Sequence, residues 1–285
     1  MAIDYDKLMA WKFPDAEQTY TERDTMLYAL GLGFGADPMD EQQLQYVYEE
    51  NLKAIPTMAV VLAGPGPWLR SPEAGINYLK VVHGEQWLTA HKPLPPAATV
   101  VGQSRITRII DKGEGKGAVL YMERKLFDKK SGDHLATLEM STFARGDGGF
   151  GGPPVASPVL HTVPEGPPQH TCDLSILPRQ GLIYRLSGDY NPLHADPKVA
   201  KAAGFHMPIL HGLCTYGTAA HAIIKTLCGY DAHRLKSLQV RFSSPVYPGE
   251  TIRTEMYREG NVVSFRAKSV ERDVVVLSNG RADIA

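Results

Sequence analysis

The chain has 285 residues, 43% of them hydrophobic and 21% charged, a balance that fits a folded globular protein and excludes a disordered one. Its formal net charge is −1 and its basic residues form no long run, which argues against nucleic acid as the main partner. No apolar run approaches the roughly 20 residues that cross a bilayer, so no membrane partner is expected.

Taken in chain order, the start Met1-Ala2-Ile3-Asp4-Tyr5-Asp6-Lys7 carries acidic residues and no apolar centre, unlike a secretory signal. Gly31-Leu32-Gly33-Phe34-Gly35 lacks the spacing of a dinucleotide fingerprint, so no nucleotide cofactor is expected. Glu49, beside Glu50, reads from its residue type alone as a solvated helix carboxylate. Val82-His83-Gly84 precedes the Pro-rich Lys92-Pro93-Leu94-Pro95 and the strand-like run Thr99–Ile106. Lys112 sits in an Asp-Lys-Gly turn, where a lone lysine is ordinarily solvated. Alternating strands are expected over Ala118–Phe127 and Leu135–Ala144. Residues 145–170 are rich in Gly and Pro and read as a connection between packed units. The expected organisation is a first unit over 1–150, a linker over 151–170 and a second unit over 171–285.

The second unit carries the densest chemistry. Tyr184-Arg185-Leu186-Ser187-Gly188-Asp189-Tyr190-Asn191-Pro192-Leu193-His194 brings a carboxylate, an amide and an imidazole into one turn marked by Gly188 and Pro192. A bent loop or a first helical turn would aim Asp189 and His194 into one pocket, as an acid and base pair. In isolation the same run also reads as a helix cap, an Asn-Pro turn and a surface histidine. Pro208-Ile209-Leu210-His211-Gly212 comes next, and Leu213–Ile224 is apolar and small enough for a buried helix. A glycine opening such a helix leaves free N–H groups at its positive end, which suit an oxyanion. His194, Asp196, His206 and His211 match no compact metal motif, so no metal is expected.

The halves echo each other. Val82-His83-Gly84 parallels Leu210-His211-Gly212, and Thr99–Ile106 parallels Thr251–Met256. The strands Val262–Val270 and Val274–Leu277 parallel the two late strands of the first half. Few residues separate His83-Gly84 from the Pro-rich run, so the first half is expected to lack a long helix and the Asp-x-Asn-Pro-x-His element. Helix against antiparallel strands is an α+β pattern. Cys172, Cys214 and Cys228 cannot all pair and lack Cys-x-x-Cys spacing, so they read as reduced thiols of a cytosolic-type compartment. The final residues Arg281–Ala285 are no Ser-Lys-Leu-type address, and a cytoplasmic location is expected.

The run from Tyr184 to His194, then Ala203-Gly204-Phe205, then Pro208–Gly217, resembles the hydratase 2 signature of the MaoC-like hot-dog family. His83–Leu88, Lys92–Pro95, Gly148–Gly152 and Phe242–Gly249 extend the likeness over nearly the whole chain. The resemblance implies a double hot-dog fold, with each half's antiparallel sheet around a central helix, and a homodimer. It implies (R)-specific hydration of 2-enoyl-CoA without a cofactor, the first half supplying acyl space. Asp189, Asn191, His194 and Gly212 match the family's catalytic positions. His194 suits the base and Asp189 the proton donor to C2, although those two roles can be exchanged. Glu49, in Tyr46-Val47-Tyr48-Glu49, matches a glutamate implicated in activity. His83, Gly84, Lys112 and Phe242 are expected at the coenzyme A site, with Arg241 added for phosphate, and Tyr190 is expected to bind substrate. An acyl-CoA thioesterase and a non-catalytic acyl-CoA-binding protein are the rival readings.

Overall fold

The computed structural model describes residues 3–285. Ten strands form one antiparallel sheet: β1 (Ala16–Tyr20), β2 (Val81–Ala90), β3 (Ala98–Asp111), β4 (Ala118–Asp128), β5 (His134–Ala144), β6 (His170–Ser175), β7 (Leu235–Phe242), β8 (Thr251–Glu259), β9 (Val262–Ser269) and β10 (Val274–Ile284). Among the described residues six α-helices accompany them: α1 (Tyr5–Met9), α2 (Glu22–Gly31), α3 (Glu41–Val47), α4 (Gln180–Tyr184), α5 (Pro197–Ala202) and α6 (Gly212–Leu227).

The sheet order, β1-β3-β4-β5-β2-β7-β10-β9-β8-β6, reads as the same five-strand sequence from both ends. Pairing of β2 with β7, from Glu85 opposite Arg241 to Thr89 opposite Ser237, joins the two halves edge to edge. The expected pair of sheets therefore runs on as one. The order makes β2 the counterpart of β7, so His83-Gly84 lies within a strand, whereas His211-Gly212 opens a helix. The sequence parallel between those two dipeptides is corrected accordingly. The segment equivalent to the α4–α6 stretch lies before His83, between β1 and β2.

In the second half that connection contains α6. Small residues, Cys214, Thr215, Gly217, Thr218, Ala219, Ala220 and Ala222, are buried along it, so the helix is covered on nearly every side. It packs on β6, β7 and β8. Most buried polar groups on it find partners, as burial without them is costly, and His221 Nε2 is the exception on this helix. The Tyr216 hydroxyl donates to the Leu238 carbonyl at 2.9 Å, and Thr218 Oγ1 to the Cys214 carbonyl at 2.9 Å.

In the first half the connection is broken up. Its longest helix, α2, has 10 residues against 16 in α6, and Pro56–Val61 forms only a 3-10 helix. Pro65, Pro67 and Pro72 remove further backbone donors. The inner face of β4 and β5 is left partly uncovered, and Met122, Leu138 and Met140 line a cavity of about 710 Å³.

Candidate active site

Ser187 closes a 3-10 turn, and Gly188 comes next at φ +121°, a region that favours glycine. The chain then reverses into Asp189. The Asp189 carboxylate accepts the Asn191 backbone N–H at 3.1 Å, and Asn191 Oδ1 accepts the Leu193 N–H at 3.1 Å. Asn191 thereby caps the 3-10 turn Pro192–His194. These two short bonds fix the separation of Asp189 and His194 and aim both inward.

His194 is held from behind. Its Nδ1 lies 2.8 Å from the Ile209 carbonyl oxygen, which can only accept, so Nδ1 carries the proton and the lone pair is on Nε2. The His211 ring stacks on it at 3.8 Å between centroids. By the same reasoning His211 Nε2 donates to the Asp189 carbonyl at 3.1 Å, which ties the Asp189–His194 turn to the start of α6. Donor atoms of Asp189, His194 and His211 all lie within 4.8 Å of one another, the one such group able to hold a metal ion among the described residues. Asp196 instead caps α5 through the Lys198 N–H at 2.8 Å, and the His206 ring sits 4.1 Å from that of Tyr247.

Burial lowers the His194 pKa below the ordinary histidine value, against the Ile209 carbonyl and the Asp189 charge, which favour the cation. Burial and then the neighbouring His194 push His211 down to about 4. Both rings are therefore neutral at pH 7, and His194 Nε2 is free to take a proton.

Helix α6 begins at Gly212. Its N-cap, His211, makes no side-chain cap bond; its carbonyl takes the N–H groups of Cys214 and Thr215. The Gly212 and Leu213 N–H groups precede those bonds and lie at the positive end of the helix, and both residues line a second cavity of about 760 Å³. Asp189, Asn191, His83, Val82 and Leu213 line both cavities, so the Asp189–His194 turn sits where they meet.

The other expected residues divide. Phe242 lines the second cavity, 4.7 Å from the His83 ring between centroids, and Tyr190 lines the first beneath the Arg185 guanidinium. Burial pushes His83 to about 4. Gly84 lies at a bulge of β2, where an added Cβ would meet Ser141 Oγ at 2.7 Å, so its lack of a side chain serves packing. Glu49 is exposed after α3 and lines neither cavity. Lys112 lines a separate depression with Gly152–Ala156, and Arg241 is exposed on β7; the structure brings neither to the Asp189 site. Lys80 and Arg145 do line the second cavity, made neighbours by the pairing of β2 with β5. They lie 65 positions apart in sequence, and their types alone gave no signal.

A MaoC-like domain matches residues 159–280, and an MFE-2 hydratase 2 N-terminal domain matches residues 18–146. A protein of Arabidopsis thaliana named enoyl-CoA hydratase 2, peroxisomal, is 39% identical over 98% of this chain and 94% of its own length. The chain belongs to the MaoC-like hydratase 2 family. A MaoC-like dehydratase from Phytophthora capsici has the same fold throughout, with a TM-score of 0.87, 36% identity and 99% coverage of both chains. The fold is a double hot dog, as also described for a Mycobacterium tuberculosis structure with 13% identity, a TM-score of 0.55 and coverage of 99% of this chain and 97% of that one. No helix among the described residues is long and apolar enough to cross a membrane.

Proposed function

We propose that this protein is an enoyl-CoA hydratase that adds water reversibly to trans-2-enoyl-CoA and forms (3R)-3-hydroxyacyl-CoA. The observation that carries this reading is neutral His194, with its Nε2 free, clustered with Asp189 so that a ring nitrogen and a carboxylate oxygen lie within 4.8 Å, beside the uncapped start of α6. A water molecule between the pair loses a proton to His194 Nε2 as its oxygen bonds to C3. The C2–C3 π electrons move toward the thioester, whose oxygen gains enolate charge. The Gly212 N–H donates to that oxygen, a contact whose loss typically costs about 3 kcal/mol of barrier. In this scheme Asp189 enters the step in its carboxylic acid form and supplies the proton that C2 takes up, and the proton taken by His194 returns through solvent to the resulting Asp189 carboxylate, restoring both groups. Because both groups stand on one wall, oxygen and hydrogen reach the same face of the double bond, a syn addition.

Asn191 fixes the turn and contacts the water. The acyl tail lies in the first-half cavity, between β4, β5 and the broken helical segment. Pantetheine passes His83, Tyr190 and Phe242, and Lys80 and Arg145 meet the phosphates at the rim. Glu49, Gly84, Lys112 and Arg241 have no direct part in this scheme. The same proposal includes a homodimer and a cytoplasmic location, tested by light scattering and by fractionation of cells.

The experiment is incubation with crotonyl-CoA and trans-2-decenoyl-CoA without added metal or nucleotide. Loss of enoyl absorbance, with product oxidised by an (R)-specific but not an (S)-specific 3-hydroxyacyl-CoA dehydrogenase, is expected. Release of free coenzyme A without hydration would make the protein a thioesterase. Binding without turnover would make it an acyl-CoA-binding protein.

A further inference from the structure

Strand β4 places Leu120, Met122, Arg124 and Leu126 on one face, by the two-residue period of a strand. Three are apolar and buried, and the fourth is an arginine. Arg124 is enclosed by protein and its remaining surface faces the first-half cavity, which it lines with Val60, Met122, Leu138 and Met140. Its Nη2 donates to the Val60 carbonyl at 2.8 Å and the Ala59 carbonyl at 3.3 Å, at the end of the 3-10 helix Pro56–Val61. The rest of the guanidinium has no partner. Nη1, beside Gly64, makes no hydrogen bond, and Nε is buried without one.

No carboxylate offsets the charge. Burial alone acts on the Arg124 pKa and pushes it to about 10, so the group is cationic at neutral pH. Two acidic residues line this cavity, Asp189 and Glu139. Asp189 belongs to the catalytic turn. Glu139 is out of phase with the inward Leu138 and Met140, and feels Glu123, Arg108 and Arg105 instead. Arg70 also lines the cavity, but it is exposed at the rim and lies over the Tyr78 ring. An apolar acyl space thus contains a desolvated, half-used guanidinium, which an alkyl tail ending in methyl leaves unpaired.

We infer that the acyl cavity is built for a 2-enoyl thioester whose tail ends in a carboxylate, with Arg124 pairing that distant anion while Asp189 and His194 act on the double bond. The inference rests on the hydratase reading above and names the substrate class of the same site. Nη1 keeps its N–H groups free for a carboxylate oxygen, while the carbonyls of Ala59 and Val60 hold Nη2 in place.

The test compares trans-2-enoyl-CoA esters of eight to fourteen carbons with their ω-carboxy counterparts of equal length, using the full chain and its Arg124→Met and Arg124→Gln variants. The unaltered protein should favour the ω-carboxy ester in kcat/KM by at least tenfold at the length that reaches Arg124. The variants should lose that preference at least tenfold while turning over the methyl-ended ester as well as before or better. A cavity residue acting only as a structural prop would lower both esters equally, and that result, or a preference for methyl-ended esters at every length, overturns the inference. If one variant fails to fold, the other carries the comparison. If neither ester is hydrated, the hydratase reading fails on its own. Calorimetric binding of the two ester series then decides the role of Arg124: equal affinities refute it, and tighter ω-carboxy binding dependent on Arg124 supports it.

Discussion

The two halves of this molecule have the same five-strand order and differ in what fills the sheet between the first and second strand of each. In the second half that connection supplies α6, whose small side chains let it lie flat on β6, β7 and β8. Its N-terminus and the turn before it hold every group assigned to the chemistry. In the first half the same connection is broken by prolines into short pieces, and the uncovered sheet walls a cavity instead. In the proposed scheme one architecture thus yields an electrostatically ordered reaction wall on one side and empty volume on the other. Loss of a helix is not a defect here. In the proposed scheme it makes space for a substrate tail beside the helix that bears the reacting groups.

The sharpest way to break this division is to remove the reaction wall. Asp189→Asn and His194→Ala should each lower kcat on trans-2-decenoyl-CoA by about 10²–10⁴-fold, as expected for loss of a general acid or base. Circular dichroism and the melting temperature should stay near those of the parent, since neither side chain holds the sheet together. A folded variant of either kind with near-normal turnover would remove these residues from the mechanism. The double variant should be little worse than the single ones, because the two groups act on one water.

The complementary change fills the empty side. Met140 lies on the inner face of β5, opposite Met122 and beside Gln86, and lines the acyl cavity. Met140→Trp should reduce kcat/KM for long-chain esters by about ten- to a hundredfold, the scale of losing several buried methylenes at roughly 0.8 kcal/mol each, and leave crotonyl-CoA almost unaffected. Equal losses on short and long esters would show that the cavity does not hold the tail.

Much of this contrast was legible in the sequence, and its limits are instructive. Alternation exposed β3, β4, β5, β8, β9 and β10, because one face of each is buried and the other is not. The Asp189–His194 turn was legible because Gly188, Pro192 and the short Asx contacts are local. The parallel of His83-Gly84 with His211-Gly212 misled, since the same two residues open a helix in one half and form a strand bulge in the other. The residues downstream of a dipeptide decide its structure, and the missing helix lies before His83. His211 had a sequence signal as the neighbour of Gly212 and as one of several histidines weighed against metal motifs, and its stacking on His194 depends on a loop closure that no spacing reveals. Arg124 was hidden for another reason. A charged residue in one inner position of a strand looks like an outer one until its neighbours across β3 and β5 are known.

Acid separates the halves less than it probes their shared interior. His83 in the first half, with His211 and His221 in the second, each has its pKa pushed to about 4 by burial. The unfolded chain binds those protons near pH 6.5, while the folded one refuses them until about pH 4. Stability from these three groups is therefore present above 6.5 and is lost as pH falls toward 4. Each contributes up to about 1.4 kcal/mol per pH unit inside that window. Chemical denaturation at pH 7, 6 and 5 should show a midpoint that falls steadily, and His211→Asn should fall less steeply. An unchanged midpoint from pH 7 to 5 would mean that these rings are solvated in the folded protein.

The smallest expected effect is none at all. Asp189, His194 and His211 are close enough to attract a metal ion, but their remaining lone pairs are badly placed for one. His194 Nδ1 and His211 Nε2 are spent on the carbonyls of Ile209 and Asp189. His211 Nδ1 is buried without a partner. The two rings stack with an interplanar angle of 28°, so their in-plane lone pairs run side by side and do not converge. Zinc needs nitrogen ligands pointing at one centre from about 2.0–2.1 Å. Exhaustive dialysis against EDTA should leave kcat/KM within twofold of the starting value. A loss restored by zinc would convert the acid and base pair of the second half into a ligand set, and the comparison of a reaction wall with an acyl space would have to be rebuilt around the metal.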